Sequence, residues 1–139
     1  MSDEAKDFAA MKAREAQRAR EEIDKFIVML VSLTADVGSD LQHDIYTLSQ
    51  LPRWRFIQRS TCQGKVEYGQ NRIRRVNATI DMAREVRLKI GKHSDPGVIR
   101  QIRALNPTKR DFWLGDFSVY PQKYQDLLDQ VVRYLEGDY

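Results

Sequence analysis

The stretch IDKFIVMLVSL, residues 23–33, decides how this chain can fold, because its apolar side chains cover nearly the whole circumference of a helix. A helix that is apolar on every side is enclosed by protein, either in the core of its own chain or in an interface between subunits. Its continuous apolar part is far shorter than the roughly 20 residues that a helix needs to span a bilayer. The stretch therefore predicts an enclosed helix of an all-α protein, with no membrane crossing.

The helix that contains this stretch is predicted to be long. Ser2 or Asp3 can cap it, and neither proline nor glycine interrupts the chain before Gly38, which gives roughly 50 Å at 1.5 Å per residue. Its first half sets alanines among charges, so residues 1–20 are predicted as a helical extension that projects or bends. Because this length exceeds the width of a small domain, we predict self-association to a homodimer through Ile23, Phe26, Ile27 and Leu30. Packing of the same side chains in the chain's own core is the competing interpretation.

Proline, glycine and capping signals divide the middle of the chain into shorter predicted helices. Ser39 and Gln42 form a capping box, which predicts that a second helix begins there and ends before Pro52. Pro52 suits the first position of a third helix, which Gly64 and then Gly69 would interrupt. Two interpretations of residues 53–68 stay open, because the alternating rings and the glycine also fit a β-hairpin.

The second half of the chain shows the clearest helical periodicity. Apolar residues follow helical spacing from Ile73 to Ile90, residues 96–105 give a short helix, and residues 121–136 give an amphipathic one. Asn106 and Pro107 can open a further turn of helix that holds Phe112, Trp113 and Leu114 and stops at Gly115. Since 139 residues make one domain of ordinary size, the sequence predicts a single-domain helical bundle of about five or six helices over residues 1–139, with a long N-terminal helix.

Positive charge is concentrated in one third of the sequence. Residues 52–92 hold 11 basic and 3 acidic residues, whereas residues 1–51 hold 6 basic and 10 acidic ones. The basic segment is either a docking surface for an anionic partner or is neutralised by the acidic first third of the same chain. The candidate binding residues for a partner or a nucleic acid are Arg53, Trp54, Arg55, Arg59, Arg72, Arg74, Arg75, Lys89 and Lys92.

Three features of the sequence bear on these candidate binding residues and on the arginines near them. Rings such as Trp54 and Phe56 are more often core residues than base-stacking platforms. Arginines in the first turn of a helix oppose its dipole, so something acidic is expected near them. On the helix after Ile73, Arg84 and Arg87 fall inside the apolar arc. Either their stems lie over the edge of the core, or their guanidinium groups meet a buried carboxylate or an aromatic face.

Catalytic and metal-binding patterns do not emerge from the sequence. It contains two histidines and one cysteine, Cys62, and no spacing typical of a metal site, a nucleophile elbow or a phosphate-binding loop. We therefore expect no enzyme activity, no metal and no cofactor. A single cysteine and an acidic N-terminus without the apolar stretch of a secretory signal predict a cytoplasmic protein.

These observations predict a small non-enzymatic helical protein that engages a protein or ribonucleoprotein partner, as an inhibitor or accessory factor. One-sided basic charge and a long helix both supply surface for association. The alternative function is DNA or RNA binding through the basic segment 52–92, although no helix-turn-helix or other reader motif frames it.

Overall fold

A computed structural model describes residues 3–90, 96–105 and 121–136. These residues form four α-helices: α1 is Asp3–Gln50, α2 is Phe56–Lys89, α3 is Pro96–Ala104 and α4 is Pro121–Glu136. The all-α prediction is confirmed, whereas the predicted count of five or six helices is higher than the four that the described residues contain. The further helical turn predicted to open at Asn106 and Pro107 lies outside the described residues.

The two long helices explain the lower count. α1 runs through Gly38 without a break, so the capping box at Ser39 begins no second helix. α2 likewise runs through Gly64 and Gly69, and the β-hairpin interpretation of residues 53–68 is wrong. A glycine inside a helix costs only about 1 kcal/mol relative to alanine, so packing along the length of two long helices overrides it.

The two long helices pack against each other in antiparallel orientation over their whole shared length. At one end, the Arg87 side chain donates to both carboxylate oxygens of Asp24, at 2.6 and 3.2 Å. Farther along, a side chain at Gly69 would meet Leu41, because a Cβ built there lies 3.2 Å from Leu41 Cδ1. The absence of a side chain at this position lets the two helices approach closely.

The hydrophobic core lies toward one end of this helical pair, where α3 and α4 cover it. α4 lies on α1, with the Tyr124 ring edge-on to Phe26 at 5.7 Å between centroids and the Tyr124 hydroxyl donating to the Met29 carbonyl oxygen at 3.3 Å. α3, Pro96–Ala104, and α4, Pro121–Glu136, both confirm helices that the sequence predicts.

The four residues predicted to mediate self-association belong to this core. Ile23, Phe26 and Leu30 are fully buried, and Ile27 is nearly so, all within one chain. The core interpretation of the apolar stretch is therefore the one that the structure supports. These side chains are not exposed to a second subunit unless the helices separate, so self-association stays a prediction that needs a different surface.

Beyond the core, the two long helices continue as a two-helix projection, residues 38–75, which we call the arm. Of its side chains only Cys62 and Val66 are buried. At the opposite end of α1, residues 3–14 contain no buried side chain, and burial begins at Glu15 and Ala16. No helix within the described residues is long and apolar enough to cross a membrane.

Candidate functional site: a basic and aromatic tip on the arm

The arm ends in a tight connection between α1 and α2, residues 51–55; together with the first two residues of α2, Phe56 and Ile57, we call it the tip. The chain leaves α1 at Gln50 and turns at Pro52, whose carbonyl oxygen accepts a hydrogen bond from the Arg55 backbone amide at 3.0 Å. α2 begins at the next residue, Phe56. The turn is short because helix–helix connections of a few residues suit antiparallel neighbours.

Three large apolar side chains of the tip point into solvent. Trp54 is 69 % exposed, Phe56 is 76 % exposed and Ile57 is 83 % exposed. Tyr46, from the last turns of α1, is also mostly exposed. The expectation that Trp54 and Phe56 are core residues is therefore wrong, because among the described helices only α1 and α2 form the arm and none covers these rings.

The tip carries positive charge without compensation. Residues 45–66 contain four basic residues and no acidic one. Within the described parts of the chain, neither Arg53 nor Arg55 forms an ion pair, and the first turn of α2 holds no acidic residue. The acidic neighbour expected near these arginines is thus not provided by any described residue, and the positive end of the α2 dipole adds to the same field.

Arg59 stabilises the end of the arm by binding backbone carbonyl groups of α1 and the turn. Its Nη1 donates to the Leu51 carbonyl oxygen at 2.6 Å and reaches the Leu48 carbonyl oxygen at 3.5 Å. The last turn of α1 holds no basic residue of its own, so Arg59 supplies both a donor and a positive charge to the carbonyl end of that helix. We therefore assign Arg59 to the structure of the arm.

The remaining candidates are spread along α2. Arg74 and Arg75 are exposed on the arm, and Arg72 is partly buried there. Lys89 lies about 50 Å from the start of α2 at 1.5 Å per residue, where it pairs with Glu85 at 3.5 Å. Lys92 lies outside the described residues. The structure brings Arg53, Trp54 and Arg55 together at the tip, whereas Lys89 lies at the far end of α2, so the eight candidates within the described residues do not form one surface.

Sequence reasoning missed Phe56 and Ile57 as parts of this surface. Ile57 belongs to the predicted third helix, and the sequence pattern does not show that no other described helix covers it. The signal that could have found both residues is the composition of residues 45–66, which lack acidic residues and surround the rings with cations. Arg55 lies over the Trp54 ring at 5.0 Å, so the cation and the aromatic surface are directly adjacent.

Arg84 and Arg87, the two arginines inside the apolar arc, differ in their surroundings. Arg84 is exposed and lines a shallow groove beside Val31 and Ile80. Arg87 forms the ion pair with Asp24, but the two side chains are 37 % and 47 % exposed, so the carboxylate that it meets is not buried. The pair joins α1 to α2 at the surface.

Replacing Arg87 with methionine is expected to cost at most about 1 kcal/mol, because half-exposed ion pairs contribute little even when the geometry is good. Methionine keeps an unbranched apolar stem and removes the cation. Urea unfolding of Arg87→Met, Asp24→Asn and the double variant would give the coupling free energy. A loss of several kcal/mol in the single variants, recovered in the double variant, would contradict this prediction and indicate a desolvated pair.

The described residues offer little that is typical of catalysis. They contain no group of three or more histidine, cysteine, aspartate or glutamate side chains that could hold a metal ion. The pKa of Lys25 is raised above its ordinary value, first by its side-chain hydrogen bond to Glu22 and then by the charge of that carboxylate. This shift moves the pKa of Lys25 farther above neutral pH, whereas a lysine that acts as a general base needs a pKa near the operating pH.

Comparisons with protein-family models, with curated proteins and with solved structures find no match to this chain.

Proposed function

We propose that this chain is a non-enzymatic binding protein that docks on a protein, or on the protein surface of a ribonucleoprotein, through the tip of its arm. The observation that carries the proposal is the exposure of Trp54, Phe56 and Ile57 between uncompensated arginines. Such a protein would act as an inhibitor or accessory factor by occupying or bridging a site on its partner. The proposal places this role in the cytoplasm, where a lone cysteine stays reduced.

The composition of the tip is that of an interaction hot spot. Tryptophan and arginine are the residues most enriched among those that dominate binding energy, and aromatic residues are enriched in interface cores. Full burial of one large apolar side chain contributes about 1.5–3 kcal/mol of favourable free energy. The tip side chains are exposed in the isolated chain, so this contribution can be gained when a partner covers them. The matching partner surface has an apolar pocket for Trp54 and Phe56 and an acidic rim for Arg53 and Arg55.

The shape of the arm fits this role. The 13 residues of α1 from Gly38 to its end carry the tip about 20 Å beyond the core at 1.5 Å per residue. A narrow projection of two helices can enter a concave site that the wider body could not. The rings sit at its extreme end, where no other described element shields them.

A direct test compares tip variants with a matched aromatic control. Trp54→Ala and Phe56→Ala are expected to weaken partner binding by at least about thirtyfold each, as loss of a hot-spot residue costs about 2 kcal/mol or more. Phe8→Ala removes a ring that is also largely exposed, at the other end of α1, and should leave affinity unchanged. Partners would be captured from the native host, identified by mass spectrometry, purified and titrated.

Equal binding by the wild-type chain and a tip variant would contradict the proposal. If every captured protein binds the wild-type chain and the Trp54→Ala/Phe56→Ala double variant with the same affinity, the tip is not the docking element. Circular dichroism of the double variant should show unchanged helix content, because both side chains are exposed and contribute little to the core.

Nucleic-acid binding is the second candidate, favoured by the Arg55–Trp54 contact and by the exposed Arg74 and Arg75 on the same arm. Four phosphate contacts would give a log–log salt dependence near −3.5 on duplex and near −3 on single strands, approximately. Fluorescence anisotropy measures both slopes. Selective loss of single-strand binding in Trp54→Ala would indicate base stacking, and absence of binding at low salt would exclude this candidate.

A further inference from the structure

A second exposed surface lies on the body of the protein, on one side of the paired long helices. It is the groove lined by Val31, Thr34 and Ala35 of α1 and by Asn77, Ile80, Asp81 and Arg84 of α2. Leu88, one further turn along α2 from Arg84, is 71 % exposed, and Val28, one turn before Val31 on α1, is also largely exposed. We call this surface the open face.

The open face differs from the tip in the sign of its charges. The tip is purely positive, so two tips repel each other. The open face holds both signs: Asp81 and Arg84 are exposed one turn apart on α2, and neither forms an ion pair with any residue in the described parts of the chain. A surface with one unpaired charge of each sign, set beside exposed apolar side chains, is complementary to a copy of itself.

We propose that the open face binds a second copy of this chain in a two-fold symmetric dimer, with α2 packed antiparallel against α2 of the other copy. In such a contact, residue i meets residue j and j meets i. Pairing Asp81 of each copy with Arg84 of the other fixes the register. The same register sets Leu88 of each copy opposite Asn77 of the other, so the exposed leucine covers the far end of the partner groove.

This arrangement leaves the tip of each copy exposed, so it goes beyond the proposed function and is independent of it. It also relocates the self-association predicted from the sequence. The contact predicted through core residues of α1 is replaced by one in which α2 packs against α2 of the other copy, through side chains that face away from the core.

A charge-swap cycle tests the register. Sedimentation equilibrium of the wild-type chain is expected to show a concentration-dependent dimer. Asp81→Arg and Arg84→Asp, each made alone, should raise the dimer dissociation constant more than tenfold, because each sets like charges opposite one another. The double variant Asp81→Arg/Arg84→Asp exchanges the two signs, re-forms both intermolecular pairs and should recover most of the affinity.

A control and a second variant keep the test decisive. Trp54→Ala should dimerise like wild type, since the tip takes no part, whereas Leu88→Lys should dimerise more weakly. All these positions are exposed, and circular dichroism would verify that the variants keep their helices. A wild-type chain that stays monomeric at high micromolar concentration overturns the proposal. A dimer insensitive to both single charge reversals overturns it as well.

Discussion

Phe26→Ala is expected to destabilise the protein by about 3–5 kcal/mol, the range for removing a large aromatic side chain from a packed core. Phe26 is fully buried and packs edge-on against Tyr124 of α4. Truncation removes that contact and leaves a cavity where α1 meets α4. Because a domain of this size has only about 5–15 kcal/mol of stability in total, the variant should unfold at a much lower urea concentration.

The control for this change is Phe8→Ala, the same substitution on the same helix at an exposed position. We expect it to alter the free energy of unfolding by no more than about 0.5 kcal/mol. Urea unfolding followed by circular dichroism measures both variants. Equal stability of the two would mean that the core around Phe26 does not exist as described.

Val131→Asp is expected to have a comparably large effect, of several kcal/mol, because Val131 of α4 is fully buried and the change introduces an unpaired charge into the core. Burial raises the pKa of the new carboxyl above its unfolded value, so the folded variant binds a proton more readily than the unfolded chain. The destabilisation should therefore be greatest at neutral pH and should shrink as the pH falls and the group becomes neutral.

Val131→Asn distinguishes the effect of the charge from the effect of polarity, because asparagine has nearly the same shape as aspartate and does not titrate. The difference in unfolding free energy between the two variants should be large at pH 7 and should narrow toward pH 4. Urea unfolding at a series of pH values gives this difference directly. A gap that is constant with pH would show that residue 131 is solvated, contrary to the structure.

The sequence predicted well those parts of the fold whose periodicity is local. α3 and α4 follow from a proline at the first position and an amphipathic pattern, and the enclosed stretch of α1 follows from apolar residues on every side. The long helices could not be recovered in the same way. Gly38, Gly64 and Gly69 are stop signals by local rules, and the packing of α1 against α2, a tertiary contact that local patterns do not show, overrides them.

For the candidate site too, local sequence patterns predicted some features and tertiary contacts decided the others. Arg53, Trp54 and Arg55 could be selected from the sequence because charge and aromatic residues adjoin there. Their position at an exposed extremity could not, since it depends on α3 and α4 covering only one end of the long helices. Nor could local patterns assign Arg59 to the carbonyl end of α1, because that contact bridges two helices.

The close approach at Gly69 makes the arm a lever. Core packing on α2 starts at Val76, which lies about 10 Å from Gly69 and about 30 Å from Phe56 at 1.5 Å per residue. If a bulky side chain at position 69 pushed the helices apart by about 1 Å, a rigid arm pivoting at Val76 would displace the tip by about 3 Å. The size of the side chain at position 69, opposite Leu41, thereby affects where Trp54 and Phe56 lie.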